Sequence, residues 1–102
     1  STRDEILELG GITMNKSSYQ VFCKSEEVLL THREFDLLEF LIRNKGKIST
    51  RDEIIEKVWN VNFEYDTGVI DVFMNSLRKK LNICKENGLI RTVRGVGYIA
   101  ND

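Results

Sequence analysis

Six cations crowd into a short stretch of this chain: Arg78, Lys79, Lys80, Lys85, Arg91 and Arg94. Guanidinium and ammonium groups neutralise phosphate, so the chemistry on offer is binding to a polyanion rather than bond making. Asn75 lies three residues before Arg78, on the same side of any helix through both. Its amide can make a two-pronged contact with the N6 and N7 edge of adenine. Arg78 shares that face with Asn75 and Asp71 and reads as a phosphate contact. Lys80 is explained in part by the helix dipole, which favours cations in a last turn. Arg94 sits between Val93 and Gly95, at the tip of a candidate hairpin, where a side chain can reach into a groove.

Two elements have to position these groups. The first is a helix from about Thr67, a possible N-cap, to about Ile83. Its buried stripe is Ile70, Phe73 or Met74, Leu77 and Leu81. Asp71, Asn75, Arg78, Lys79 and Asn82 fall opposite, with Val72 and Ser76 at the margins. The second is a β-hairpin after the Asn87-Gly88 turn, pairing Leu89–Val93 with Tyr98–Ala100 across Arg94-Gly95-Val96-Gly97. A helix narrow enough for a major groove, beside an arginine-bearing hairpin, is the layout of a winged-helix DNA reader. Gly95 and Gly97 also form a GxG, but no strand–turn–helix context surrounds it, which excludes a nucleotide loop.

The rest of the chain must support that pair. Thr31-His32-Arg33-Glu34 is a capping box opening a helix whose stripe is Phe35, Leu38, Leu41 and Ile42, widened by Leu37 and Phe40. Asn44-Lys45-Gly46 closes it. Thr50-Arg51-Asp52-Glu53 is a second box, starting a helix with Ile54, Ile55, Val58 and Trp59 inward and Trp59 placed in the core. Asn60 is a plausible stop, and Asn60-Val61-Asn62-Phe63-Glu64-Tyr65-Asp66 is a polar-aromatic loop. In that loop Phe63 and Tyr65 are open between packing and partner contact. Four short strands precede all this. Ile6–Leu9 and Ile12–Asn15 flank Gly10-Gly11, and Tyr19–Lys24 and Val28–Leu30 flank Ser25-Glu26-Glu27. The fold expected is α+β: a winged helix-turn-helix with an N-terminal four-stranded antiparallel sheet, three helices and a C-terminal β-hairpin wing.

Composition sets the outer limits. One domain of 102 residues with 41% apolar residues can bury a core, and 30% charge keeps it in solution. The net charge of −1 hides a split: residues 67–98 sum to +4 and residues 1–66 to −4. A local basic patch is what a phosphate backbone meets. No apolar run reaches the ~18–20 residues of a membrane span, and no signal peptide is visible, so the reading is cytoplasmic, with no membrane partner. Cys23 and Cys84 make no CxxC and have no histidines near them, which argues against zinc and for two reduced thiols. His32 is the lone histidine, and Asp36 and Glu39 read as the wet face of the first helix. No carboxylate pair or nucleophile motif stands out, so the chain is read as no enzyme, with neither metal nor cofactor.

Five segments in order carry a family resemblance: Leu30-Thr31-His32-Arg33-Glu34-Phe35-Asp36-Leu37-Leu38, Arg51 through Trp59, Ile70-Asp71-Val72, Leu77-Arg78-Lys79-Lys80-Leu81, and Thr92-Val93-Arg94-Gly95-Val96-Gly97-Tyr98. Together they resemble the DNA-binding effector domain of OmpR/PhoB-type response regulators over essentially the whole chain. The resemblance implies that the third helix is the recognition helix in the major groove. On the residues' own chemistry and placement, Asn75 is the expected base reader, with Val72, Ser76 and Lys79 as further candidates on the same helix. Arg94 would approach the minor groove. Arg78 and Thr92 would contact backbone phosphates, and the charge of Arg91 or Lys79 fits them to join. It further implies tandem copies on direct repeats of double-stranded DNA, RNA polymerase touching the Asn60–Asp66 loop, and a receiver domain elsewhere in a longer regulator of a two-component system. Relatives usually carry arginine where this chain has Gly68, and commonly at Asn75 and Ser76, and often a further cation where it has Ile99. Those departures weaken the electrostatic attraction and leave a second possibility, a winged-helix protein-interaction module with weakened DNA affinity.

Overall fold

The structure, a computed structural model, describes residues 5–59, 68–81 and 89–101. Alternating apolar residues make the first sheet: β1 (Ile6–Leu9), β2 (Ile12–Asn15), β3 (Gln20–Cys23) and β4 (Glu26–Val28), antiparallel and in chain order. Period-two patterning sends Ile12, Met14, Val21 and Cys23 inward. The turn between β3 and β4 corrects the expected one. Lys24 and Ser25 both have positive φ, 50° and 78°, as a two-residue hairpin turn requires. Cys23 therefore pairs with Glu26, and β4 ends at Val28 instead of starting there. Tyr19, at φ 57°, belongs to the preceding turn and not to β3.

Both capping boxes form. Thr31 caps α1 (His32–Arg43), with Glu34 returning to the Thr31 amide. Phe35, Leu37, Leu38, Leu41 and Ile42 are buried along it. After Asn44 the chain leaves the helix through Gly46, at φ +85°, whose amide donates to the Ala100 carbonyl at 2.9 Å. Thr50 caps α2 (Arg51–Ile54), which continues as a π-helical turn over Ile55–Trp59. Ile54, Ile55 and Val58 are buried, but Trp59 is only half-buried. Its ring meets Phe73 edge-on at 5.3 Å and has the Arg33 guanidinium 5.4 Å from its centre. This corrects the placement of Trp59 in the core: it lies on the rim, where an indole keeps part of its edge in water.

Between the two capped helices lies β5 (Ile48–Thr50), a strand the sequence reading did not anticipate. Three residues carry no readable period, and their partner is far along the chain. They pair with β7 (Gly97–Ala100), which pairs in turn with β6 (Ile90–Val93), in the order β5-β7-β6. The wing is thus the far edge of a three-stranded sheet. α3 (Gly68–Leu81) and both sheets meet α1 around one core, with Met14, Leu38, Leu41, Ile54, Ile70, Met74 and Tyr98 among its members.

Two more expectations change. Cys23 is buried and disulfide-bonded, where reduced thiols were expected; Cys84 lies outside the described residues. Pairing needs Cα atoms within about 4.4–6.8 Å, a tertiary distance that sequence spacing does not reveal. Glu39 is half-buried rather than wet. It accepts from Lys16 Nζ at 2.6 Å and from Arg43 Nε at 2.8 Å, and Arg43 also reaches Glu5 at 2.8 Å. Those pairs tie α1 to the chain around the first sheet. Thr67, the Asn60–Asp66 loop, the Asn87-Gly88 turn and Asn82 lie outside the described residues.

Candidate nucleic-acid interface

The two sides of α3 differ sharply. Ile70, Met74, Leu77 and Leu81 are buried, which resolves the Phe73-or-Met74 choice in favour of Met74; Phe73 packs half-buried against Trp59. Val72, Asn75 and Lys79 are exposed at helical spacing. Val72 is 67% exposed, which is unusual for a β-branched apolar residue on a helix that otherwise buries its apolar groups. Arg91, Thr92 and Arg94 are exposed on the wing.

Backbone constraints shape the wing tip. Val96 N–H bonds to the Val93 carbonyl at 3.0 Å, closing a β-turn in which Gly95 takes φ +73°. Gly97 serves a different purpose. Thr50 is its partner across the sheet, and a Cβ on Gly97 would overlap the Ser49 carbonyl. One glycine supplies the dihedral and the other the close approach.

Arg78 lies at the seam between helix and wing. Its Nη2 donates to Thr92 Oγ1 at 2.8 Å, and its guanidinium carbon is 5.4 Å from the centre of the Tyr98 ring. The two residues expected to hold phosphate are therefore joined to each other. Arg51 also lies 5.4 Å from that ring centre. The Tyr98 hydroxyl donates to Asp71 Oδ1, and Arg51 Nη2 donates to the same oxygen at 3.1 Å. The tyrosine hydroxyl and the arginine hold the Asp71 carboxyl below its usual range, and burial raises the Tyr98 phenol above its own.

Beneath α3 lies an acidic clasp. Glu34 is 2% exposed, yet charged. Ser76 Oγ donates to its Oε2 at 2.5 Å, and Lys80 Nζ to its Oε1 at 2.6 Å. Burial alone would raise this carboxyl, but the Lys80, Ser76 and Thr31 hydrogen bonds outweigh it and hold the group at about 2. Lys80 is thus a partner of Glu34 as well as a helix-end cation, and the Ser76 hydroxyl is turned towards α1.

Sequence reasoning did not anticipate Glu34 beyond its cap, nor Arg51, Asp71 and Tyr98 as a set. These groups lie 20 to 46 residues apart. A lone acid amid the cations of α3 was the one available signal. Residues Asn60–Asp66 of the expected polymerase loop lie outside the described residues.

Among the described residues no helix is long and apolar enough to cross a membrane. Residues 25–100 match the family described as "Transcriptional regulatory protein, C terminal". The response regulator ArlR of Staphylococcus aureus is 40% identical over 95 residues, covering 93% of this chain but 43% of its own length. The fold matches the DNA-binding domain of Klebsiella pneumoniae RstA, solved in complex with the RstA box, with a TM-score of 0.83 and 32% identity over 95% of this chain and 97% of that one. It matches the Thermotoga maritima OmpR/PhoB homologue DrrB with a TM-score of 0.82 and 28% identity, over 95% of this chain and 44% of that one. With its winged-helix fold and a family match across three quarters of its residues, this chain belongs to the C-terminal effector domains of OmpR/PhoB-type transcriptional regulators.

Proposed function

We propose that this domain binds double-stranded DNA sequence-specifically and regulates transcription as the output half of a two-component response regulator. The observation that carries the reading is the exposed face of α3: Val72, Asn75 and Lys79 project from it while the opposite face is buried. Arg91 and Arg94 stand exposed on the adjoining wing. In this reading Asn75 meets adenine in the major groove, and Val72 offers an apolar surface to a thymine methyl. Lys79, Arg91, Arg78 and Thr92 position the domain on phosphates, and Arg94 enters a narrow minor groove. Ser76 would join the interface only by releasing Glu34.

The family setting supplies the further partners. Tandem copies would sit on direct repeats about one helical turn apart, ~10–11 bp. The Asn60–Asp66 loop would meet RNA polymerase, a receiver domain would control the pairing, and the setting would be the cytoplasm. The test is in vitro selection from random duplexes, followed by anisotropy titration of the selected and scrambled sites. A defined repeat bound well above scrambled duplex is the expected result. Flat, weak binding to every duplex would favour the protein-binding alternative that Gly68, Asn75 and Ser76 suggest.

A further inference from the structure

The geometry points to Asp71 and Tyr98 as positioning residues that set the angle between α3 and the wing, and so the spacing at which this domain reads its two grooves. The inference rests on the DNA-binding reading above. Among the described residues Asp71 is the one acid of α3, on a helix that also exposes Val72, Asn75 and Lys79, and a bare carboxylate there would repel phosphate. It does not stand bare. Asp71 Oδ1 accepts from both Tyr98 Oη and Arg51 Nη2, so one oxygen joins α3, the root of the wing and the start of α2. The Tyr98 ring carries the contact onward: it lies directly opposite Thr92 in the β6–β7 register, beside the guanidinium that holds Thr92.

Leverage gives this contact its consequence. Only Val96 and Gly97 lie between Tyr98 and Gly95 at the tip, and with an extended Arg94 side chain added the lever from Tyr98 to the guanidinium is roughly 10 Å. A swing of about 10° at Tyr98 would carry the guanidinium about 2 Å, roughly half the ~3.4 Å axial rise per phosphate along one strand. Without the Asp71 contact, Arg94 would still be attracted to a minor groove but would accept several offsets from the base read by Asn75. Specificity for spacing would fall more than attraction.

The contact is also open to clean removal. The Asp71 and Arg51 side chains are 46% and 29% exposed, and pairs of that exposure add little to stability. Tyr98→Phe removes one oxygen and leaves the ring.

The experiment uses the selected duplex and a second duplex with its A/T tract displaced by one base pair. Wild-type protein, Tyr98→Phe, Asp71→Asn, Arg94→Ala and Tyr98→Phe/Arg94→Ala are titrated on both, with thermal melts as a check on folding. The wild type should lose about tenfold in affinity on displacement, and Tyr98→Phe and Asp71→Asn less than about twofold, with the salt slope unchanged. In the Arg94→Ala background, Tyr98→Phe should change affinity by less than about twofold. Equal weakening on both duplexes, unchanged discrimination, or effects of Tyr98→Phe and Arg94→Ala that simply multiply would overturn the positioning role while leaving DNA binding intact. Failure of the wild type to prefer any duplex would overturn both readings together.

Discussion

Arg78 Nη2, on α3, donates a 2.8 Å hydrogen bond to Thr92 Oγ1, on β6. The hydroxyl that accepts this bond keeps its own proton free to donate outward, so the pair can offer a phosphate oxygen a cation and a neutral donor together. The side chains are ordered before any ligand arrives, which lowers the entropy cost of binding.

Arg78→Ala should therefore weaken all duplexes alike and lower the slope of log K against log salt by about one. For the wild-type monomer, four or five phosphate contacts give a slope near about −4. Titrations at several salt concentrations check both figures. Arg78→Ala that changed the preferred sequence while leaving the salt slope untouched would assign Arg78 to base reading.

Asn75 is exposed on the same helix and should behave in the opposite way. Asn75→Ala should cost ~1–3 kcal/mol on the selected site and relax selectivity at one base pair. Repeating the selection with the variant is the direct check, because a uniform loss with an unchanged sequence logo would leave Asn75 as a backbone contact.

Acid should unfold the domain partly through Glu34. Its folded value of about 2 lies below the ordinary 4.5, so its contribution is fully present above about pH 4.5 and is lost as pH falls towards 2. At neutral pH the shift corresponds to a contribution on the order of 3 kcal/mol. Glu39 is shifted in the same direction and should steepen the same acid limb. Glu34→Gln should flatten denaturant midpoints between pH 5 and 3 and lower stability at pH 7, where Lys80 would lose its counter-charge. A variant with the wild-type pH profile would show that Glu34 is not the titrating group.

Two substitutions away from the expected DNA face separate folding from recognition. Thr50→Ala should cost about 1 kcal/mol through the lost cap of α2 and leave the selected site unchanged. Trp59→Ala should cost less than the ~3–5 kcal/mol of a fully buried ring, since the indole sits on the rim. Chemical denaturation beside duplex titration distinguishes the two readouts, and a changed selected site for Thr50→Ala would tie α2 to recognition.

Local chemistry determined a large part of this protein without any structure. Thr31 and Thr50 announce helices because a hydroxyl three residues before a glutamate satisfies amides within one turn of chain. Ile70, Leu77 and Leu81 announce the buried face of α3 because helical period sorts residues by side. The hairpin was legible from its turn residues, though its turn closes over Val93–Val96 and Gly97 belongs to β7 rather than to the expected Arg94–Gly97 loop. The exposed positions of Asn75 and Lys79 were legible too. What local chemistry lacked was any measure of distance between remote segments. β5 is a strand only because β7 lies beside it, and Gly97 is required by the Ser49 carbonyl and not by the turn. Trp59 stays on the rim and Glu34 is a buried anion, each through neighbours far along the chain. The link from Arg51 through Asp71 to Tyr98 is of that kind too. Hydrogen bonds and ion pairs act over a few ångströms, and only the packed tertiary fold decides which distant groups come that close.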